Sequence, residues 1–243
     1  MSNKTFYIKP DNVQGKTAIL TGEELHHARN VMRLGPGDEI ELVDGLGNMH
    51  RATFLSISSE EGKLEISSTE TGNDPSFSLT MAMGIVKGER FEWALQKCTE
   101  LGVAAFIPLI TERTEVKPAK PWPRLKRLEK IIISACKQCE RARFPVLESP
   151  VILEDLKPSE YDLAIVLWES GSSPPLIEAV SNIASPGSCL LVIGPVGGFT
   201  DGEIHHLVER GFIAAGFGPR ILRTETAATA GAAVLGSLFG DLG

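Results

Sequence analysis

The chain is poor in the residues that would staple it, anchor it in lipid or coat it with positive charge. It has four cysteines in 243 residues, Cys98, Cys136, Cys139 and Cys189, each within an apolar or helical stretch. A disulfide framework is therefore not expected, and the thiols are read as reduced. Cys136 and Cys139 form a C-x-x-C. No second pair of ligands stands nearby at zinc spacing, and the pair falls inside a helical pattern rather than at a helix start, so it reads as two small residues on one helix face. No apolar run is long enough to cross a bilayer. The opening MSNKTFYIKP lacks the apolar stretch of a secretory signal, which makes the cytoplasm, with no membrane contact, the expectation. A G-x-G-x-x-G dinucleotide fingerprint and a P-loop are both missing, which counts against a nucleotide-binding oxidoreductase. An excess of positive charge is missing too: 24 Lys and Arg stand against 31 Asp and Glu, a net charge of −7. The balance is uneven, however. Thr111 to Pro145 holds ten Lys and Arg against four acids, a net +6 that leaves −13 for the remainder. A basic stretch on an acidic body suits a polyanionic partner at one place, and it suits a solvated helix face equally.

What is present is an ordinary globular composition, with 42% apolar and 23% charged residues, enough for one domain or two. The first part of the chain reads as short strands with turns. DEIELVDG, HRATFLSIS and GKLEISS alternate apolar and polar residues. Before them, TGEELHHARNVMRL places Leu25, Ala28, Val31 and Met32 on one helix side, with Thr21 and Glu24 as a capping box. The polar stretch STETGNDPS, Ser68 to Ser76, marks a boundary between a β-rich domain over 1–70 and a second domain over 77–243. Beyond it, LTMAMGI, AAFIPLI, YDLAIVLW, CLLVIG and FIAAGFG are continuous apolar strands. Helices alternate with them: ERFEWALQKCTELG, RLKRLEKIIISACKQCERA, a segment from Pro174-Pro175 to about Ile183, TDGEIHHLVERG with the capping box Thr200 and Glu203, and TETAATAGAAVLGSLFG. Buried strands with intervening helices predict an α/β domain with a parallel sheet covered on both faces.

Ligands of such sheets sit beyond the carboxyl ends of the strands. Three ends qualify: Leu167-Trp168-Glu169, Gly194 to Phe199, and Gly218 to Thr226. The glycines of GPVGGF let backbone approach a flat ligand, although a tight strand-to-helix turn without a ligand explains them as well. GPRILRTETAATAGAAV sets Arg220, Arg223 and Glu225 beside a helix of small residues, which fits a crowded, buried place. Trp168 suits a pocket or the core. His26-His27 and His205-His206 have no cysteine or carboxylate at metal spacing and read as surface or half-buried residues.

IGPVGGFTDGE followed by GFGPRILRTETAA resembles the C-terminal motifs of the RsmE family. These are S-adenosylmethionine-dependent methyltransferases of small-subunit (16S) ribosomal RNA, acting on N3 of a uridine and belonging to the SPOUT class. HHARNVMRLGPGDEI resembles that family's N-terminal domain, and KGERFEWALQKCTELGV and ERTEVK its central motifs, so the resemblance spans almost the whole chain. It implies a C-terminal trefoil-knotted SPOUT methyltransferase domain and a small N-terminal PUA-like β-barrel that binds RNA. It implies S-adenosylmethionine in a cradle of Leu167, Trp168, Glu169, Ile193, Gly194, Pro195, Gly197, Gly198, Leu222, Arg223 and Thr226. Arg223, then Arg220, would supply positive charge beside the developing uridinate, and Glu225 is the candidate base, with an N-cap role as its rival. RNA would meet Arg29, Arg33, Lys87, Arg90, Arg113, Arg124, Arg127, Arg141 and Arg143. Ribosomal RNA or the small ribosomal subunit is the implied partner and a homodimer the implied assembly. The methyl group is already activated on its sulfonium, so no metal is expected. Two positions depart from the family pattern. Val196 stands where the glycine loop usually has Glu, and Lys137 to Arg141 reads KQCER where the family reads EQSGR. A SPOUT enzyme with another target, such as a ribose 2′-oxygen, and a non-catalytic RNA-binding protein of the same fold remain as alternatives.

Overall fold

The computed structural model describes residues 4–72, 76–115, 122–169 and 173–242. The middle of the expected boundary STETGNDPS, and Lys117 and Lys120 of the basic segment, lie outside the described residues. The chain divides into two units, Met1–Asp74 with Ile133–Phe144, and Pro75–Ile132 with Pro145–Gly243.

Alternation in the first unit becomes a six-stranded sheet. Its strands are β1 (Thr5–Tyr7), β2 (Val13–Gln14), β3 (Thr17–Leu20), β4 (Glu39–Val43), β5 (Asn48–Ile57) and β6 (Gly62–Thr71), in the order β1-β4-β5-β6-β3-β2. β1 runs parallel to β4 and the other pairs are antiparallel. The inward side chains Phe6, Leu20, Leu42, Phe54 and Leu64 form its core, each contributing roughly 1.5–3 kcal/mol by burial. β1 to β3 were not expected from the sequence, being too short for alternation to register. Residues 133–144 belong here through several contacts. Lys137 Nζ lies 2.6 Å from Glu24 Oε1, the rings of Phe144 and Tyr7 are 5.2 Å apart, and Phe144 N donates to Gly45 O.

The expected helix before β4 differs in two ways. α1 (Gly22–His26) widens at once into a π-helical turn over His27–Val31. The wider turn breaks the 100° spacing, so Leu25 and Ala28 are buried while Val31 is 62% exposed. The Thr21–Glu24 capping box does not form: Thr21 makes no side-chain cap bond. Glu24 is instead taken by Tyr7 N at 3.2 Å and by Lys137.

The second unit carries a seven-stranded, all-parallel sheet. Its strands are β7 (Ser78–Gly84), β8 (Ala105–Ile110), β9 (Val146–Leu147), β10 (Val151–Ile152), β11 (Leu163–Leu167), β12 (Ser188–Ile193) and β13 (Ile213–Ala215). The order is β10-β8-β7-β12-β11-β13, with β9 also on β8. β11 is buried at every residue, as a strand covered on both faces requires. The helices are α2 (Arg90–Glu100), α3 (Leu125–Cys139, whose second half counts with the first unit), α4 (Leu176–Ala179), α5 (Asp201–Glu209) and α6 (Thr224–Phe239). The α5 capping box of Thr200 and Glu203 forms in full. The helix after Pro174-Pro175 is a single turn that ends well before Ile183, because Val180 leaves helical geometry at its C-cap. α6 packs on α2, β7 and β12. Its small residues are why: Ala228 and Ala232 are fully buried, and a Cβ on Gly231 would lie 2.8 Å from Leu191.

Candidate active site at three strand ends

β12, β11 and β13 are neighbours in the sheet, so the three segments that follow them emerge side by side. Between them lies a cavity of about 210 Å³. Its floor is the strand ends Leu167 and Ile193, and its walls are Trp168 and Glu169, the glycine loop Gly194 to Gly198, and the segment Gly216 to Glu225. Thr224 Oγ1 donates to Gly194 O at 3.0 Å, a buried bond that fastens the first turn of α6 to the glycine loop. Trp168 N donates to Ala215 O at 2.8 Å, tying the β11 end to the β13 end.

Of the residues expected at a cofactor, Leu167, Trp168, Glu169, Ile193, Gly194, Pro195, Gly198, Leu222 and Arg223 line this cavity, as do Arg220 and Glu225. Gly197 and Thr226 are not among its lining residues. Val196 is, with 58% of its surface exposed. Gly198 shows why its position is glycine. Its φ is +68°, and a Cβ there would fall 2.4 Å from Glu169 Oε1.

The charges are arranged asymmetrically. Arg220 and Arg223 have exposed side chains at the cavity. Glu225, in the first turn of α6, is mostly buried, with 13% of its side chain exposed. Its Oε1 lies 3.8 Å from Arg90 Nε. Its Oε2 is buried with no hydrogen-bond partner among the described residues, so the carboxylate has acceptor capacity to spare. Arg90 thus stands at the cavity.

The other basic residues are variously engaged. Arg113 Nη1 donates to Gly197 O and Phe199 O. Arg124 donates to Val86 O and Gly88 O, pairs with Glu92 and lies over the Trp122 ring. Arg127 pairs with the second oxygen of Glu92 at 2.8 Å, and Lys87 pairs with Glu115 at 3.0 Å. In the first unit Arg29 is exposed and donates to Ser58 O, Arg33 is exposed, and Arg143 bridges to Gly45 and Leu46. Arg141 N closes the end of α3 on Cys136 O. Burial pushes the thiols of Cys98, Cys136 and Cys189 up to about 12, too high for a nucleophile near neutral pH. Among the described residues no group of three or more His, Cys, Asp or Glu could hold a metal ion, and no described helix is long and apolar enough to cross a membrane.

Residues 73–236 match the RNA methyltransferase domain family, and residues 20–67 match the RNA methyltransferase PUA domain family. The chain therefore belongs to the RNA methyltransferase family, with a β-rich PUA domain ahead of a SPOUT-type parallel-sheet domain. Its relatives narrow the family to the ribosomal RNA small subunit methyltransferases E. The enzyme of that name from Synechocystis is 33% identical over 236 residues, covering 96% of this chain and 77% of the relative. The one from Bacillus subtilis is 35% identical over 223 residues, 88% and 87% of the two chains. A ribosomal RNA small subunit methyltransferase E of Neisseria gonorrhoeae, bound to S-adenosylmethionine, superposes with a TM-score of 0.87 at 35% identity over 99% of this chain and 100% of that one. A Legionella pneumophila protein in complex with the same cofactor gives 0.89 at 33% identity over the whole of both chains.

Proposed function

We propose that this protein methylates N3 of a uridine in small-subunit ribosomal RNA, using S-adenosylmethionine. The observation that carries the reading is the cavity at three adjacent strand ends, with a glycine loop on one wall, guanidinium groups at its surface and a buried carboxylate oxygen that has no donor among the described residues.

The residues present fit the cofactor. Leu167, Ile193 and Leu222 offer apolar faces for an adenine, and Gly194 and Gly198 admit close backbone contact. Glu169 and Glu225 supply negative charge to a cationic ligand. Bound there, S-adenosylmethionine supplies an activated methyl group. The chain's own residues must then deprotonate and orient the uracil. N3 carries a proton and is a poor nucleophile until that proton leaves. Glu225 Oε2 is the acceptor we assign to it, with Arg90 holding the other oxygen. General-base catalysis of this kind contributes about 10²–10⁴-fold. Arg223 and Arg220 face the same cavity and would stabilise the negative charge that develops on the uracil oxygens.

The uridine must reach the cavity unpaired, since N3 belongs to its pairing edge. We assign the approach of RNA to Arg29 and Arg33 on the PUA domain and to Lys87, Arg127, Arg141 and Arg143, with Arg124 reaching phosphate only as its carbonyl contacts allow. A homodimer, a cytoplasmic location and a threaded C-terminal segment complete the proposal. The test is incubation with labelled S-adenosylmethionine and small ribosomal subunits, followed by mapping of the label. Label on N3 of one uridine is expected. Label on a ribose would reassign the target, and no transfer to any RNA would replace the enzyme by a binding protein.

A further inference from the structure

One arginine of the basic segment is turned toward the glycine loop. β8 ends at Ile110, and the chain turns tightly after it: Thr111 N donates to Thr114 Oγ1 at 2.8 Å, and the two buried hydroxyls lie 3.1 Å apart. The turn carries two residues to the glycine loop. Arg113 Nη1 donates to Gly197 O at 2.9 Å and to Phe199 O at 3.2 Å. Glu112 N donates to Glu203 Oε1 at 2.8 Å, while Glu203 Oε2 accepts from Thr200 N. The turn therefore grips the loop and the first turn of α5 together.

Gly197 records the same contact. A Cβ there would lie 3.2 Å from Arg113 Cβ, so the side chain it lacks makes room for the arginine. Gly197 is also the loop glycine that does not line the cavity. The two carbonyls held by Arg113 lie on either side of Gly198, the residue at φ +68° that does line it. Glycine loses more backbone freedom on ordering than any other residue. A glycine-rich wall left unheld would take that loss at the moment a ligand binds. A planar guanidinium bonded to both carbonyls orders the wall in advance.

We infer that Arg113 is a positioning residue for the cofactor cradle, fixing the glycine loop from the side away from the cavity, rather than a phosphate contact for RNA. The inference rests on the reading of the cavity as the S-adenosylmethionine site. It is tested by calorimetric titration of S-adenosylmethionine into the wild-type chain, R113M and R113K, with melting temperatures and the salt dependence of RNA binding measured alongside. R113M is expected to raise the cofactor Kd about tenfold and R113K about threefold, because a lysine ammonium rotates freely where the guanidinium plane fixes the two N–H directions of Nη1. The KM for the cofactor should rise with Kd, while the KM for RNA, the salt slope and the melting temperature stay near wild type. A merely structural role would lower the melting temperature without that split. An unchanged cofactor Kd in R113M, with the salt slope reduced by about one, overturns the inference and returns Arg113 to the RNA surface. Should R113M fail to fold, R113K decides: a raised cofactor Kd supports the inference and an unchanged one overturns it. A wild-type chain that binds no S-adenosylmethionine would remove the cofactor assignment itself, and the inference with it. That outcome is distinct from a wild type that binds and an R113M that binds equally.

Discussion

β6 and β12 bury their side chains by different rules. Along β6, Leu64 and Ile66 are inside while Lys63 and Glu65 are outside. Along β12, Cys189 to Ile193 are buried without a break. A mostly antiparallel sheet can keep one face wet, whereas a parallel sheet roofed by helices is dry on both. Strands dry on both faces leave no room for polar chemistry along their length. The reactive groups of the second unit are accordingly gathered beyond the strand ends, at Glu169, the glycine loop and Arg223.

The strongest attempt to break this contrast is Gly84→Ala. The added Cβ would lie 2.4 Å from Pro195 N and 2.7 Å from Pro195 Cα, backbone that cannot swing aside. A loss of about 3 kcal/mol or more is expected, and a melting temperature equal to wild type would refute the close approach. Alanine at consecutive positions sharpens the contrast next. Leu190→Ala and Leu191→Ala, both fully buried, should each cost about 2–5 kcal/mol in denaturant unfolding. In β6, Leu64→Ala should cost as much while the adjacent Glu65→Ala stays within about 0.5 kcal/mol. Equal costs at 64 and 65 would erase the distinction.

A smaller effect concerns a buried imidazole. His50 is buried in the first unit, its Nδ1 on Thr69 Oγ1 and its Nε2 without a partner among the described residues. Burial pulls its pKa below the ordinary value, against the opposing charge of Asp44. The folded state thus holds this proton less readily than the unfolded chain. Stability from His50 is complete above the unfolded pKa of about 6.5 and declines as pH falls below it. His50→Phe should flatten the fall in melting temperature between roughly pH 7 and 5; an unchanged acid limb would assign that fall elsewhere. The smallest effect is a gain. Glu140 ends α3 at φ +61°, so Glu140→Gly should stabilise by about 0.5–1 kcal/mol, and a loss would mean that the side chain's own contacts outweigh the strain.

The five apolar strands of the second unit and α2, α3, α5 and α6 were legible because burial on both faces, or on one helix face, leaves an unbroken or periodic signal. β9 and β10 have two residues each, too few for any period. Val31 departs from the helical spacing because a π-turn has no marker in residue type. The three strand ends were legible as candidates, but their adjacency depends on the crossover order β12-β11-β13, which local pattern does not contain. The roles of Arg113 and Arg90 were out of reach for a related reason: the bonds from Arg113 to the loop cross more than eighty residues, and a charge count treats every guanidinium alike.

Glu92 shows where such counting misleads. It sits between Arg124 and Arg127 and binds both. A polyphosphate strand arriving at that face would meet two cations already sharing one anion, and would have to displace the carboxylate before gaining either. Fewer small ions would then be expelled on docking than the tally of lysines and arginines suggests, so attachment at this face should weaken with added salt less steeply than ten basic residues would predict.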